Sequence, residues 1–184
     1  MEFELDGTIV RLTQGDITAQ EVDAVVNAAN STLVGGGGVD GAIREAGGPA
    51  VDEACDRLRE EQGRLPVGEA VMTVGGHLPA KQIIHTVGPR WKGGSEGEPE
   101  KLANAYRNSL QVAVDNDLKT VAFPSISTGA YGYPINKAAD AALEAVADFL
   151  SQPENQGALD EVRFVLFSEK DLGTYREAAE RYIA

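Results

Sequence analysis

Asn27-Ala28-Ala29-Asn30-Ser31-Thr32-Leu33-Val34-Gly35-Gly36-Gly37-Gly38-Val39-Asp40-Gly41 follows a short apolar run, Ala24 to Val26, and leads into a helical pattern. Four consecutive glycines lose much chain entropy on folding, so something must compensate. Without Cβ atoms a backbone can approach an anion closely and aim its N–H groups at it. A helix beginning near Asp40 or Gly41 adds its positive end. This is a way to hold an anion without lysine. A mobile linker is the bland alternative, disfavoured because the run joins a strand directly to a helix.

Outward from this loop, apolar runs alternate with amphipathic stretches. Ile9 to Leu12, Ala24 to Val26, Val71 to Val74, Ile83 to Val87, Val121 to Phe123 and Val162 to Phe167 read as strands. Several are β-branched and nearly continuous, as expected for strands covered on both faces. Leu102, Tyr106, Leu110, Ala113 and Val114 fall on one helical stripe. Ala139, Ala142, Leu143, Val146 and Leu150 form another, with Asn136 as its candidate N-cap. Val51, Ala54, Cys55 and Leu58 mark a further helix, and Leu172, Tyr175, Ala179, Tyr182 and Ile183 a closing one. This β/α alternation predicts a mostly parallel or mixed sheet between two helical layers. Lys92 to Pro99 and Ser151 to Gly157 are the expected mobile segments, and neither divides the chain.

Ligands of such sheets bind beyond the carboxyl ends of the strands. Two more loops sit there. Pro124-Ser125-Ile126-Ser127-Thr128-Gly129-Ala130-Tyr131-Gly132-Tyr133-Pro134 offers small hydroxylic residues and then an aromatic, suited to wrapping a phosphate with Tyr131 against a sugar. A plain glycine-rich turn is the alternative. Gly15-Asp16-Ile17-Thr18 follows the first strand. Asp16 reads first as the N-cap of a short turn and second as an acceptor for an exocyclic amine such as that of adenine. Gly36, Gly38 and Gly41 also fit G-x-G-x-x-G, but no acidic residue ends a second strand about 20 positions on, which disfavours a nicotinamide-dependent oxidoreductase. No G-x-S-x-G elbow occurs, so Ser125 and Ser127 are poor nucleophile candidates.

The 184 residues suit one domain spanning 1–184, long enough for a sizeable core. With 29 Asp+Glu against 16 Lys+Arg the formal charge is −13, a field that repels nucleic acid and anionic membranes. The six lysines beside ten arginines suit either a high-salt protein or an ordinary acidic one. One cysteine excludes an intrachain disulfide, and with two distant histidines it leaves little for a zinc site. The acidic start Met1 to Asp6 is not a signal peptide, and no apolar run approaches the ~18 residues of a membrane span. The cytoplasm is the expected location.

Gly15-Asp16-Ile17-Thr18, the Asn27 to Gly41 run continuing to Ala42-Ile43, His85-Thr86-Val87-Gly88-Pro89 with Trp91, and Ser127-Thr128-Gly129-Ala130-Tyr131-Gly132-Tyr133-Pro134 occur in the order of the macrodomain family. They cover nearly the whole chain, and it most resembles the MacroD-type branch. That branch hydrolyses ADP-ribose from acidic side chains and deacetylates O-acetyl-ADP-ribose. The resemblance implies an α/β fold, a three-layer α/β/α sandwich with a central mixed, mostly parallel sheet. It also implies a cleft for ADP-ribose, and neither a metal nor a cofactor. The implied partners are ADP-ribose, O-acetyl-ADP-ribose and mono-ADP-ribosylated proteins.

Carried over by position, Asp16 holds the adenine amine with the Ile17 backbone beside it, and Phe167 stacks on the base. Gly38, Val39 and Asp40 line the distal ribose and diphosphate. Ser127, Thr128, Gly129, Ala130 and Tyr131 cradle the diphosphate, Tyr131 lying against the distal ribose. The resemblance implies that Asn30 fixes the ribose and that Asp40 is the proton acceptor, activating or orienting the water that attacks an ester. A ligand phosphate could share that role. Read without the family, Asp40 is a helix N-cap and Asn30 a turn residue bonding its own backbone. A non-catalytic ADP-ribose reader is the alternative function.

Where many MacroD-type sequences carry His, this chain has Arg44, which is always charged and cannot be a general base. It reads as a residue of a solvated helix face, or as a phosphate contact. Cys55 reads as core, His77 as a loop residue and His85 as a hydrogen-bonded structural histidine. Trp91 reads as either a lid or a core-edge residue.

Overall fold

The computed structural model describes all of Met1–Ala184. Seven strands form one sheet: β1 (Glu2–Leu5), β2 (Thr8–Gln14), β3 (Ala24–Ala28), β4 (Ala70–Val74), β5 (Gln82–Thr86), β6 (Thr120–Phe123) and β7 (Glu161–Leu166). Their order across the sheet is β1-β2-β7-β6-β3-β5-β4. The five inner strands are parallel, and β1 and β4 close the two edges antiparallel to their neighbours. The inner runs are β-branched and apolar because helices cover both faces.

Five helices make the outer layers: α1 (Gly38–Gly47), α2 (Pro49–Gln62), α3 (Glu98–Asp115), α4 (Ile135–Ser151) and α5 (Glu169–Tyr182). Strand alternation divides the core between them. Val26, Ile84, Val121, Phe123 and Phe164 pack with Tyr106 of α3, Leu143 of α4 and Tyr175 of α5. Val25, Ile83, Ala122 and Val165 pack on the other face with Ile43 of α1 and with Val51 and Cys55 of α2. Asn27 and His85 continue the second series and are fully buried under α1 and α2. The architecture is the expected three-layer α/β/α sandwich.

Four local expectations need correction. β1 hides in the acidic N-terminus because it is an edge strand, where charge blunts further pairing. Pro134, not Asn136, stands at the N-cap position of α4, since the chain already enters the helix at Ile135. The Ser151–Gly157 stretch is fastened by a 3-10 turn at Pro153–Asn155 and by Asn155 Nδ2, buried and bonded to Phe149 O at 2.9 Å. The Lys92–Pro99 stretch is wrapped round a buried carboxylate. Glu98 accepts the N–H groups of Lys92 and Gly94 at 2.8 Å and of Glu96 at 2.6 Å. Burial works against its ionised form, but these donors outweigh it and hold the Glu98 carboxyl down at about 2.

Candidate active site

The expected site residues come together along the carboxyl ends of the five parallel strands. In sheet order these ends carry Asp16 after β2, Phe167 after β7, Ser127 to Tyr131 after β6, Asn30 to Asp40 after β3, and Gly88 to Arg90 after β5. Five strands about 4.8 Å apart span roughly 19 Å, room for an elongated ligand laid across the crest.

At one end, Asp16 caps a 3-10 turn at Ile17–Ala19. Its Oδ1 accepts Thr18 N at 2.9 Å and Thr18 Oγ1 at 2.7 Å. The hydroxyl and then the amide hold the carboxyl below its usual range. Oδ2 has no partner in the protein, so the cap and an outward acceptor coexist. The Ile17 N–H is also unpaired. Gly15 N bonds Leu166 O at 3.0 Å, which brings this turn beside the end of β7, where Phe167 is 91% exposed.

In the middle, two loops present unpaired backbone donors. The N–H groups of Ser127, Thr128, Gly129, Ala130 and Tyr131 find no acceptor in the protein, nor do those of Gly35, Gly37, Gly38, Val39 and Asp40. The last three open helix α1, where the helix dipole adds positive potential. Gly38 has φ +57°, a conformation that suits glycine. A Cβ on Gly41 would lie 2.7 Å from Gly36 O, so the loop closes only over glycine there.

The β6 loop is braced from below. Tyr106 Oη receives Ile126 N at 3.1 Å, and Ser125 Oγ lies 2.7 Å from Tyr175 Oη. Thr128 Oγ1 donates to Ser125 O and Ser125 Oγ, so its hydroxyl is spent inside the loop and only its N–H faces outward. Ser127 sits at φ +68° with a buried, unpartnered Oγ.

Asn30 and Asp40 flank Gly36: a Cβ placed there would be 3.7 Å from both Asn30 Nδ2 and Asp40 Oδ2. Asn30 also fulfils the turn reading, with Oδ1 accepting Val34 N and Thr32 Oγ1 and Nδ2 donating to Val34 O at 2.7 Å. Asp40 is not the N-cap, a place taken by Gly37, but lies in the first turn of α1 and is 4% exposed. Its Oδ2 accepts Gly36 N at 2.6 Å and its Oδ1 accepts Asn27 Nδ2 at 2.8 Å.

Arg44 corrects both expectations for it, the solvated face and the phosphate contact. It is buried, with Nε 3.2 Å from Asp40, Nη1 2.8 Å from Asp52 and Nη2 donating to Leu33 O at 2.8 Å. Arg44 therefore ties the start of the glycine loop to the first turn of α1.

Behind this pair, Asn27 Nδ2 donates to His85 Nδ1 at 3.1 Å, leaving Nε2 as the protonated nitrogen facing Thr73 Oγ1 at 2.7 Å. Burial, with the charge of Arg44, pushes the imidazole down to about 4. His85 is thus a neutral structural residue. Cys55 Sγ lies 3.8 Å from the ring, and burial pushes its thiol up. His77 is an exposed loop residue, and Trp91 is a core-edge residue whose ring packs against Tyr133 at 4.7 Å, tilted by 53°. Asn27 and Arg90 were not singled out from the sequence. The signals were present: strand alternation turns Asn27 toward Asp40, and the i, i+4 spacing links Asp40 to Arg44.

Comparison with known proteins agrees with this geometry. Residues 26–142 match the Macro domain family. A Macro domain-containing protein of Cupriavidus necator is 53% identical over 94% of this chain and 98% of its own length. An O-acetyl-ADP-ribose deacetylase of Citrobacter koseri is 51% identical over 90% of this chain and 92% of its own. A variant of the Oceanobacillus iheyensis macrodomain, solved with ADP-ribose, superposes with a TM-score of 0.92 at 43% identity, covering 98% of this chain and 97% of that one. The chain belongs to the macrodomain family.

Proposed function

We propose that the protein is a hydrolase that binds ADP-ribose along the crest and cleaves esters at its distal ribose. The substrates are O-acetyl-ADP-ribose and mono-ADP-ribosyl glutamate or aspartate. The observation that carries this reading is the pair of facing loops with ten unpaired backbone N–H groups. Such donors suit a pyrophosphate, and no lysine is needed. In this reading adenine lies between Asp16, Ile17 and Phe167, and the distal ribose beside Asn30, Gly38, Val39 and Tyr131, an assignment the order of the strand ends supports. The relatives named O-acetyl-ADP-ribose deacetylase support the reaction class.

In this reading Asn30 bonds the distal ribose hydroxyls, giving up part of its turn bonding. Asp40 orients the attacking water. Both of its oxygens are already engaged, by Asn27 Nδ2, Gly36 N and Arg44 Nε, so a ligand phosphate shares the proton. Water adds to the ester carbonyl, the acyl–oxygen bond breaks, and the proton goes to the departing ribose oxygen.

The same engagement of both Asp40 oxygens favours a second reading, a reader that binds without cutting. Incubation with O-acetyl-ADP-ribose, and with a protein carrying mono-ADP-ribosyl glutamate, separates the two. The hydrolase releases acetate or ADP-ribose. Asp40→Asn, which keeps an acceptor for Gly36 N, should lose about a hundredfold in rate while ADP-ribose still binds in calorimetry. Binding without release by the wild type identifies a reader.

A further inference from the structure

Beyond the proposed site the crest does not end. A hollow of about 470 Å3 starts at Asn30 and Tyr131, which line it, and runs on over the carboxyl end of β5. Arg90, Lys92 and Lys101 stand on its walls. In a chain of net charge −13 these are three of only sixteen Lys+Arg. None of the three joins an ion pair. Lys101 Nζ reaches only a backbone carbonyl, Glu96 O at 3.0 Å, and Arg90 lies over the Tyr131 ring at 4.5 Å from its centroid. Two acids, Glu96 and Glu98, also line the hollow, but the carboxylate of Glu98 is turned onto three N–H groups and buried.

We propose that this hollow receives an acidic peptide segment, the part of a modified protein next to its ADP-ribosylated glutamate or aspartate. The inference rests on the reading above, which places the distal ribose, and hence the ester, at Asn30 and Tyr131. From there the carrier chain has to leave the crest, and the hollow that Asn30 and Tyr131 themselves line is open space for it. The overall field of the protein repels an acidic partner, so a local cationic wall is what permits approach and sets register. Arg90 links the two regions by packing on Tyr131. Lys92 and Lys101 meet the flanking carboxylates. O-acetyl-ADP-ribose has no such flank, so it does not use them.

The test compares three substrates with the full chain. Two are synthetic peptides bearing one mono-ADP-ribosyl glutamate, flanked either by Asp and Glu or by Ser and Gly. The third is O-acetyl-ADP-ribose. Wild type should favour the acidic flank about fivefold in kcat/KM at low salt, and about 0.5 M salt should erase the preference. Lys92→Gln with Lys101→Gln should bring the ratio to about one and leave O-acetyl-ADP-ribose within about twofold. Lys92→Arg with Lys101→Arg should keep the preference. A wild-type ratio of one, or a ratio unchanged in the Gln double variant, overturns the proposal. If nothing is cleaved, Kd values for the same peptides decide. A lysine-dependent acidic preference then upholds the hollow while the hydrolase reading falls. No preference removes both.

Discussion

Arg44 and Asp40 stand one turn apart on α1 and form a buried ion pair, Nε 3.2 Å from Oδ2, with side-chain exposures of 9% and 6%. Around this pair the glycine loop takes its shape. Asp40 grips Gly36 N, and Arg44 grips Leu33 O. The role proposed for Asp40 requires a fixed carboxylate, and this pair is what fixes it. Arg44→Ala strands an ionised Asp40 and an unpaired carbonyl. Removing one partner of such a pair costs about 3 kcal/mol, to be read in urea unfolding at neutral pH. Arg44→Lys recovers part of that at best, since one ammonium cannot serve three acceptors in a planar fork. An unfolding midpoint unchanged in Arg44→Ala would show that the pair does not hold the loop.

Acid should weaken the fold in two separate windows. His85 is pushed down to about 4 in the folded protein, from an ordinary value of 6.5. Between those values the unfolded chain binds a proton that the folded one refuses, so stability is full above about 6.5 and falls as pH drops toward 4. The loss is on the order of 3 kcal/mol if the whole shift is expressed. Glu98 acts lower down. Its folded value of about 2 lies below the unfolded 4.5, so its contribution is present above 4.5 and lost as pH falls toward 2. Urea midpoints from pH 8 to 3 in wild type and His85→Gln check the first window: the variant should lack the slope between 6.5 and 4. Parallel curves would remove the assignment.

Much of this arrangement was legible in the chain. The β-branched runs gave the five inner strands because both faces are covered, a condition that leaves a continuous apolar signature. The glycine words marked the crest, because the positive φ of Gly38 and Gly132 and the close approach of Gly41 to Gly36 O favour glycine. What was not legible depends on contacts across the fold. Arg44 looks like a surface residue by type, and it is buried only because Leu33, Asp40 and Asp52 converge on it from a loop and two helices. Glu98 sits in a glycine-rich stretch that resembles a tether until its carboxylate is seen collecting three amides. Phe3 and Leu5 alternate with acids as an edge strand should, but four residues are too few for a period to stand out.

The stacking role proposed for Phe167 can be tested apart from folding. The residue is 91% exposed, so Phe167→Ala should move the melting temperature by less than about two degrees. Base stacking on an aromatic is worth about 1–3 kcal/mol, so the same change should weaken ADP-ribose binding roughly tenfold or more in calorimetry. Ribose 5-phosphate, which lacks the base, should bind wild type and variant alike. Equal ADP-ribose affinity in the two proteins would take adenine away from the end of β7.

Ser127 poses the sharpest contrast between stability and binding. Its backbone is left-handed at φ +68°, and its Oγ is buried without a partner in the protein. Both features cost free energy in the unliganded state. The loop tolerates them because Gly88 leaves room: a Cβ there would lie 2.1 Å from Ser127 Oγ. Ser127→Gly removes the strain and the orphan hydroxyl together, and should stabilise the protein by about 1 kcal/mol. For a chain of this length that is a rise of roughly 2–4 °C in melting temperature. If the hydroxyl is held ready for a ligand phosphate, the same variant should bind ADP-ribose about threefold to tenfold more weakly. A higher melting temperature with undiminished affinity would leave only the Ser127 backbone as a candidate contact. A lower melting temperature would mean that the hydroxyl is satisfied in solution, and that the loop is not strained toward a ligand at all.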